Sequence, residues 1–211
     1  LFPYTTLFRS NPPRGFNLYH KRGPQHNGPV NHGGVCTLVK HSIGHQVLDL
    51  NTDLQAVAVR CQLDRLYTIC NLYLPPNCAV SSENIQNLTS QLPTPYLLVG
   101  DFNARHSLWG NIIINEKGKL VESLLATAPC SVINDGSPTH FHMQRDSLSC
   151  IDLSIVSPDL LGHLEWAVSN NLYNSDHFSV LIKVPDLTYS ACPPKYIYEK
   201  PDWSKYKREA V

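Results

Sequence analysis

Asp101 and Asn103 sit at the end of the run Tyr96-Leu97-Leu98-Val99-Gly100-Asp101-Phe102-Asn103-Ala104-Arg105-His106, offering a carboxylate and an amide to one small target. Side chains two apart on an extended chain point to the same side, so the two groups can converge. The apolar stretch before Gly100 is short enough for a buried strand, and strand ends are where α/β proteins place chemistry. Taken alone, Gly-Asp-x-Asn is equally a tight turn, because all three residue types favour bends. Two later segments weigh against coincidence. In Ser149-Cys150-Ile151-Asp152-Leu153-Ser154-Ile155-Val156 an acid interrupts a strand-like run, where an ionised carboxylate is costly without a partner. In Asn174-Ser175-Asp176-His177-Phe178-Ser179-Val180-Leu181-Ile182 an Asp-His pair precedes an alternating pattern. A histidine beside carboxylates suits proton transfer or the stabilisation of an oxyanion.

These residues need strands and helices to position them. Residues 11–32 are rich in Pro, Gly and His and read as loop with little regular structure. Residues 33–40 open the first clear strand. Residues 55–60 and 66–73 suit a hairpin with a polar loop over 61–65, and Pro75-Pro76 stops its second strand. Residues 82–92 predict a helix capped by Ser81 or Ser82, with Ile85, Leu88 and Leu92 on one face. Residues 96–99 form the buried strand that leads to Asp101. Residues 117–127 predict a second helix, with Leu120, Val121, Leu124 and Leu125 spaced to cover a sheet. Short strands follow at 131–133, 150–156 and 178–184, with a turn at Asp135-Gly136. Strand pairs interleaved with helices suit an α+β fold of two stacked sheets covered by helices, a four-layer αββα sandwich.

The 211 residues are enough for one well-buried domain, and 42% hydrophobic with 16% charged residues is a globular composition. No apolar run approaches the roughly 20 residues needed to cross a bilayer, so a soluble protein with no membrane partner is expected. The formal net charge is zero. That counts mildly against tight autonomous nucleic-acid binding but leaves room for a local basic patch. The seven cysteines are odd in number and form no Cys-x-x-Cys, so reduced, mostly buried thiols in an intracellular protein are expected. His140 and His142 alternate as ligands on a strand could. No cysteine or carboxylate nearby in sequence completes a zinc set, which favours surface or DNA-facing roles.

Taken together, Asn71-Leu72-Tyr73-Leu74-Pro75-Pro76-Asn77, Gly100-Asp101-Phe102-Asn103-Ala104-Arg105-His106, Leu108-Trp109-Gly110, Asn134-Asp135-Gly136-Ser137-Pro138-Thr139, Ile151-Asp152-Leu153 and Ser175-Asp176-His177 resemble the endonuclease/exonuclease/phosphatase superfamily. Within it the chain is similar to the apurinic-endonuclease-like domain of non-LTR retrotransposons of the jockey-like kind. The resemblance implies a deoxyribonuclease I-like αββα sandwich that hydrolyses phosphodiester bonds of DNA with Mg2+ or Mn2+, nicking a target for reverse transcription. It implies that Asp101 orients or deprotonates the water while Asn103 holds the geometry. His177, oriented by Asp152, meets the scissile phosphate, Tyr73 donates to a phosphate oxygen, and Asp176 lies near the metal. Thr139 and Arg105 are weaker candidates for contacts to the DNA backbone. Asp101 and His177 both stay open as the formal base. A phosphatase or phospholipase of the same superfamily, or a catalytically dead binding fragment, remains as an alternative. The residues after Asp101, through Trp109-Gly110, favour the retrotransposon reading over the phosphatase one.

Residues 1–10 resemble a translated sequencing adapter and are expected to be a scar. The family's first strands carry an Asn and a metal-binding Glu, yet the first Glu here is Glu83, after the Tyr73 motif. The expectation is therefore a domain over 11–185 that is incomplete at its N-terminus and nearly inactive alone. Residues 186–211, aromatic and basic, are expected to lead toward a reverse transcriptase domain of the same polyprotein, acting in the nucleus.

Overall fold

The computed structural model describes residues 12–23 and 33–185. The expected scar at 1–10 and the expected linker at 186–211 lie outside the described residues. The first departure from the sequence reading comes early. Strand β1 (Phe16–Arg22) pairs antiparallel with β2 (Gly34–Lys40), from Phe16 opposite Lys40 to Arg22 opposite Gly34, where loop was expected. Pro12-Pro13 and Gly23-Pro24 flank a run only seven residues long, so the breakers masked its alternation.

The rest of the fold is built on a six-stranded sheet. Strands β3 (His45–Leu48), β4 (Gln55–Gln62) and β5 (Leu66–Tyr73) form an antiparallel meander. Helix α1 (Ser82–Ser90) then carries the chain to β6 (Tyr96–Asp101), which runs parallel to β5. A crossover of this length is what a parallel neighbour requires. Helix α2 (Glu116–Thr127) and β7 (Ser131–Val132) follow, then the small hairpin of β8 (His140–His142) and β9 (Ser147–Ser149). Strand β10 (Asp152–Val156) inserts antiparallel between β6 and β7, giving the order β3-β4-β5-β6-β10-β7. Strands β11 (Glu165–Val168) and β12 (Val180–Lys183) close the described chain as a separate pair.

Local chemistry explains both helices. Ser81 caps α1 in a capping box, its hydroxyl accepting the Asn84 N–H while the Asn84 amide oxygen accepts the Ser81 N–H. Asn115 caps α2 by accepting the Gly118 N–H at 2.8 Å. The helices share one face of the sheet, where Ile85, Leu88, Val121 and Leu124 pack on Leu72, Leu98, Leu153 and Ile155. The other face carries the alternate residues. Val59 and Ile69 meet Tyr19 and Val39 of the first hairpin, while Leu97 and Val156 meet Ile182 and Val184 at the last. The described residues thus form an α+β sandwich with helices over one face and strand pairs over the other. A helical layer beyond those strand pairs, expected from the αββα pattern, is not found among the described residues. The six described cysteines are all unbridged, and no described helix is long and apolar enough to cross a membrane.

Gly100 is what allows β6 to run tightly against β5. Its φ is +143°, and a Cβ there would lie 1.9 Å from the Leu72 carbonyl oxygen. Gly100→Ala is expected to cost at least ~2 kcal/mol through backbone strain and displacement of β5. The comparison is Gly15→Ala, where φ is +89° but nothing lies within 4 Å. Urea unfolding of the two variants should separate them, and equal midpoints would contradict the tight approach at Gly100.

Candidate active site

Strand register places four polar residues abreast on the face opposite the helices. Gln55 of β4 lies beside Tyr73 of β5, Tyr73 beside Asp101 of β6, and Asp101 beside Asp152 of β10. The neighbours that alternate with them, Leu72 and Leu153, point into the helix-covered core. Four side chains from four strands therefore share one edge of the inter-sheet space.

His177 completes the row from a different segment. Its Nδ1–H donates to Asp152 Oδ2 at 2.8 Å, and the Asp152 carboxylate is otherwise buried. The buried acid has found the partner its position demanded. Two neighbours fix the pair. The Ser175 hydroxyl accepts the His177 N–H at 3.1 Å, and Thr139 Oγ1 accepts the N–H groups of Ile151 and Asp152 at 3.1 and 3.0 Å. Thr139 is wholly buried, which corrects its reading as a contact to DNA. It holds the start of β10 in place instead.

Asp101 and Asn103 do converge, though not by strand alternation. The strand ends at Asp101, and Asn103 adopts a left-handed φ of 48°. This conformation is one that asparagine tolerates better than most residues. It lets the Asn103 N–H reach Asp101 Oδ1 at 2.9 Å while Nδ2 donates to Asp101 Oδ2 and to the Leu74 carbonyl, both at 3.0 Å. Lys117 was not anticipated from sequence. Its buried ammonium donates to the carbonyls of Leu74, Pro75 and Pro76, pinning the loop that follows Tyr73. Arg105 is held by Asn115, which accepts its N–H at 2.9 Å, and lines an open groove of about 560 Å³ with Asn103 and Ile113.

The electrostatics follow from burial and crowding. Burial, then the neighbouring Asp152 charge, pushes the Asp101 carboxyl up to about 7. An acid there exchanges its proton near neutrality, as a general base must. Burial alone would lower His177, but the hydrogen bond and charge of Asp152, with Asp101 and Asp176, move it upward overall. The shift favours the protonated ring. Burial and the adjacent Asp101 raise the Tyr73 phenol, keeping it a proton donor.

The residues present fit a hard divalent cation. Asp101 and Asp152 are adjacent carboxylates whose repulsion a cation relieves, and the buried Oε1 of Gln55 in the same row has no hydrogen-bond partner. His140, Asp176 and His177 bring potential ligand atoms within 4.8 Å of one another. The four described glutamates lie elsewhere. Glu83 is exposed on α1, Glu116 pairs with Lys119, Glu122 with His106 and Glu165 with Lys183.

Comparison with known proteins gives a consistent picture. The model of a family described as endonuclease-reverse transcriptase matches residues 67–181. Over 172 residues the chain is 27% identical to the RNA-directed DNA polymerase from mobile element jockey of Drosophila melanogaster, covering 79% of this chain and 18% of that protein. Over 185 residues it is 25% identical to a probable RNA-directed DNA polymerase from transposon BS of the same organism, covering 84% and 20%. The chain thus spans about a fifth of the length of the curated relatives it matches. Among solved structures, the endonuclease domain of TRAS1, a telomere-specific non-LTR retrotransposon, superposes with a TM-score of 0.67 at 18% identity, covering 80% of each chain. The 3'-5' exonuclease NExo from Neisseria meningitidis gives 0.55 at 17% identity, covering 81% of this chain and 80% of that one. These likenesses establish the deoxyribonuclease I-like sandwich fold.

The site also sets how stability depends on pH. The folded Asp101 carboxyl titrates near 7 against an ordinary 3.8, so its ionisation removes stability as pH rises through that window. His177, raised above 6.5, contributes stability at low pH that is lost as pH climbs through its folded value. Both slopes have the same sign. In metal-free buffer, urea midpoints measured at about pH 4.5 and about pH 8 should fall more for the native sequence than for Asp101→Asn. Equal falls would contradict the raised carboxyl.

Proposed function

This chain belongs to the endonuclease-reverse transcriptase family, and from that premise we propose that it hydrolyses phosphodiester bonds of DNA, nicking a target for reverse transcription. The observation that carries the reading is the row of Tyr73, Asp101 and Asp152 on one sheet face, with His177 held on Asp152 at 2.8 Å.

Hydrolysis needs an activated water, charge neutralisation at the phosphorus oxygens and help for the leaving alkoxide. Asp101, near neutrality and held at both oxygens by Asn103, takes the proton of the attacking water. His177 faces the scissile phosphate through Nε2, because Asp152 occupies Nδ1. The Tyr73 phenol donates to a phosphate oxygen. Arg105 lines the open groove beside Asn103, which supports its reading as a contact to the DNA backbone. Asp101 and Asp176 would hold a divalent cation, Mg2+ or Mn2+, which would supply charge neutralisation at the phosphate and the leaving oxygen. The proposed partner is a reverse transcriptase domain of the same polyprotein, by analogy with relatives several times longer, and the proposed setting is the nucleus.

Conversion of supercoiled plasmid to open circle in Mg2+ tests the reading, using both the 211-residue chain and the same residues grafted into a full-length jockey-type polyprotein. His177→Ala and Asp101→Asn are each expected to cost at least ~10²-fold in nicking rate. Absence of nicking from both forms, or full activity in His177→Ala, would contradict it.

A further inference from the structure

We propose that His140, Asp176 and His177 form a binding site for a borderline divalent ion of the Zn2+ class, one that shares Asp176 with the proposed Mg2+ position at Asp101. The backbone brings the three together. His140 and His177 form an isolated antiparallel bridge, the Phe141 N–H donates to the Asp176 carbonyl at 2.8 Å, and the Phe178 N–H donates to the Thr139 carbonyl at 2.8 Å. Two imidazoles and a carboxylate thus emerge side by side from β8 and the segment before β12.

The orientation of the rings gives the cluster its chemistry. His177 commits Nδ1 to Asp152 and His140 places Nδ1 3.4 Å from Ser149 Oγ, which makes Nε2 the ligand atom each ring can offer. His140 Nε2 stands 3.8 Å from Asp176 Oδ2, and the two rings meet edge-on at 4.6 Å. A histidine whose second nitrogen is held by a carboxylate or hydroxyl is the usual form of a metal-ligating imidazole. Ligands about 2.0–2.2 Å from a tetrahedral ion lie roughly 3.3–3.5 Å apart, so closure takes only a small movement. Asp176 can supply it, since its side chain is 52% exposed. Two nitrogens and one oxygen suit Zn2+ or Co2+ rather than Mg2+, which prefers oxygen throughout. Three protein ligands also leave a position open. His142, whose ring lies 6.1 Å from that of His140, is outside the set.

Occupancy takes Nε2 of His177, so the bound ion and Mg2+-driven nicking exclude each other. That consequence rests on the proposed nuclease reading, whereas the site itself does not. The test is titration of the full chain with Co2+, read by visible absorption. The expected result is a one-to-one tetrahedral spectrum without a thiolate charge-transfer band, abolished by Zn2+. Binding should weaken at least ~10-fold in His140→Gln and in Asp176→Asn, whose exposed side chain leaves folding intact, and persist in His142→Gln. No tetrahedral band, a thiolate band, or unchanged binding in His140→Gln and Asp176→Asn overturns the site. In the nicking assay, the Zn2+ concentration that halves activity should rise roughly tenfold in His140→Gln. A chain that binds Co2+ as expected but never nicks would refute the nuclease reading and leave the metal site standing.

Discussion

The buried carboxylate of Asp152 is the constraint on which the rest of the site depends. It lies inside a strand, 4% exposed, where an unpaired charge costs several kcal/mol. His177 satisfies it from a distant segment, and that requirement fixes where the loop before β12 must dock. Thr139 ties down the backbone at Ile151 and Asp152, and its own carbonyl accepts the Phe178 N–H, so one residue anchors both partners. The Asp152–His177 pair thus joins the sheet to the last strand pair.

A second constraint opposes the first. Asp101 lies directly beside Asp152, and two carboxylates on adjacent strands repel, which together with burial lifts Asp101 toward neutrality. The fold accommodates this with two hydrogen bonds from Asn103 and the attraction of His177 and Lys117. Lys117 and Asn103 share the Leu74 carbonyl, which ties the loop after Tyr73 to the loop after Asp101. A crowded, partly frustrated charge arrangement at a strand edge is what proton transfer near neutral pH requires.

Much of this was legible in the sequence because single residues carried the argument. An acid within an apolar strand demanded a partner, and the family resemblance named His177 as that partner. Ser81 and the spacing of Ile85 and Leu88 marked α1, and the apolar run into Gly100 marked β6. The misses share one cause, which is that the decisive neighbour arrives from elsewhere in the chain. Thr139 looked like a surface residue because its two amide donors come from β10. His140 lacked a carboxylate nearby in sequence, and the chain returns Asp176 to it through an isolated bridge. Lys117 in a first helical turn looks like any solvated lysine until three loop carbonyls close over it. Strands β1, β3, β8, β9 and β11 are short or flanked by breakers, so tertiary pairing rather than propensity defines them.

The central claim is that Asp152 acts in the proposed phosphodiester hydrolysis chiefly through His177, as one unit with it. The most direct measurement is a double-mutant cycle on plasmid nicking with Asp152→Asn, His177→Ala and the combined variant. A single functional unit predicts that the double variant loses little more than His177→Ala alone. Losses that simply add would show that the two residues act independently and would contradict the site as built.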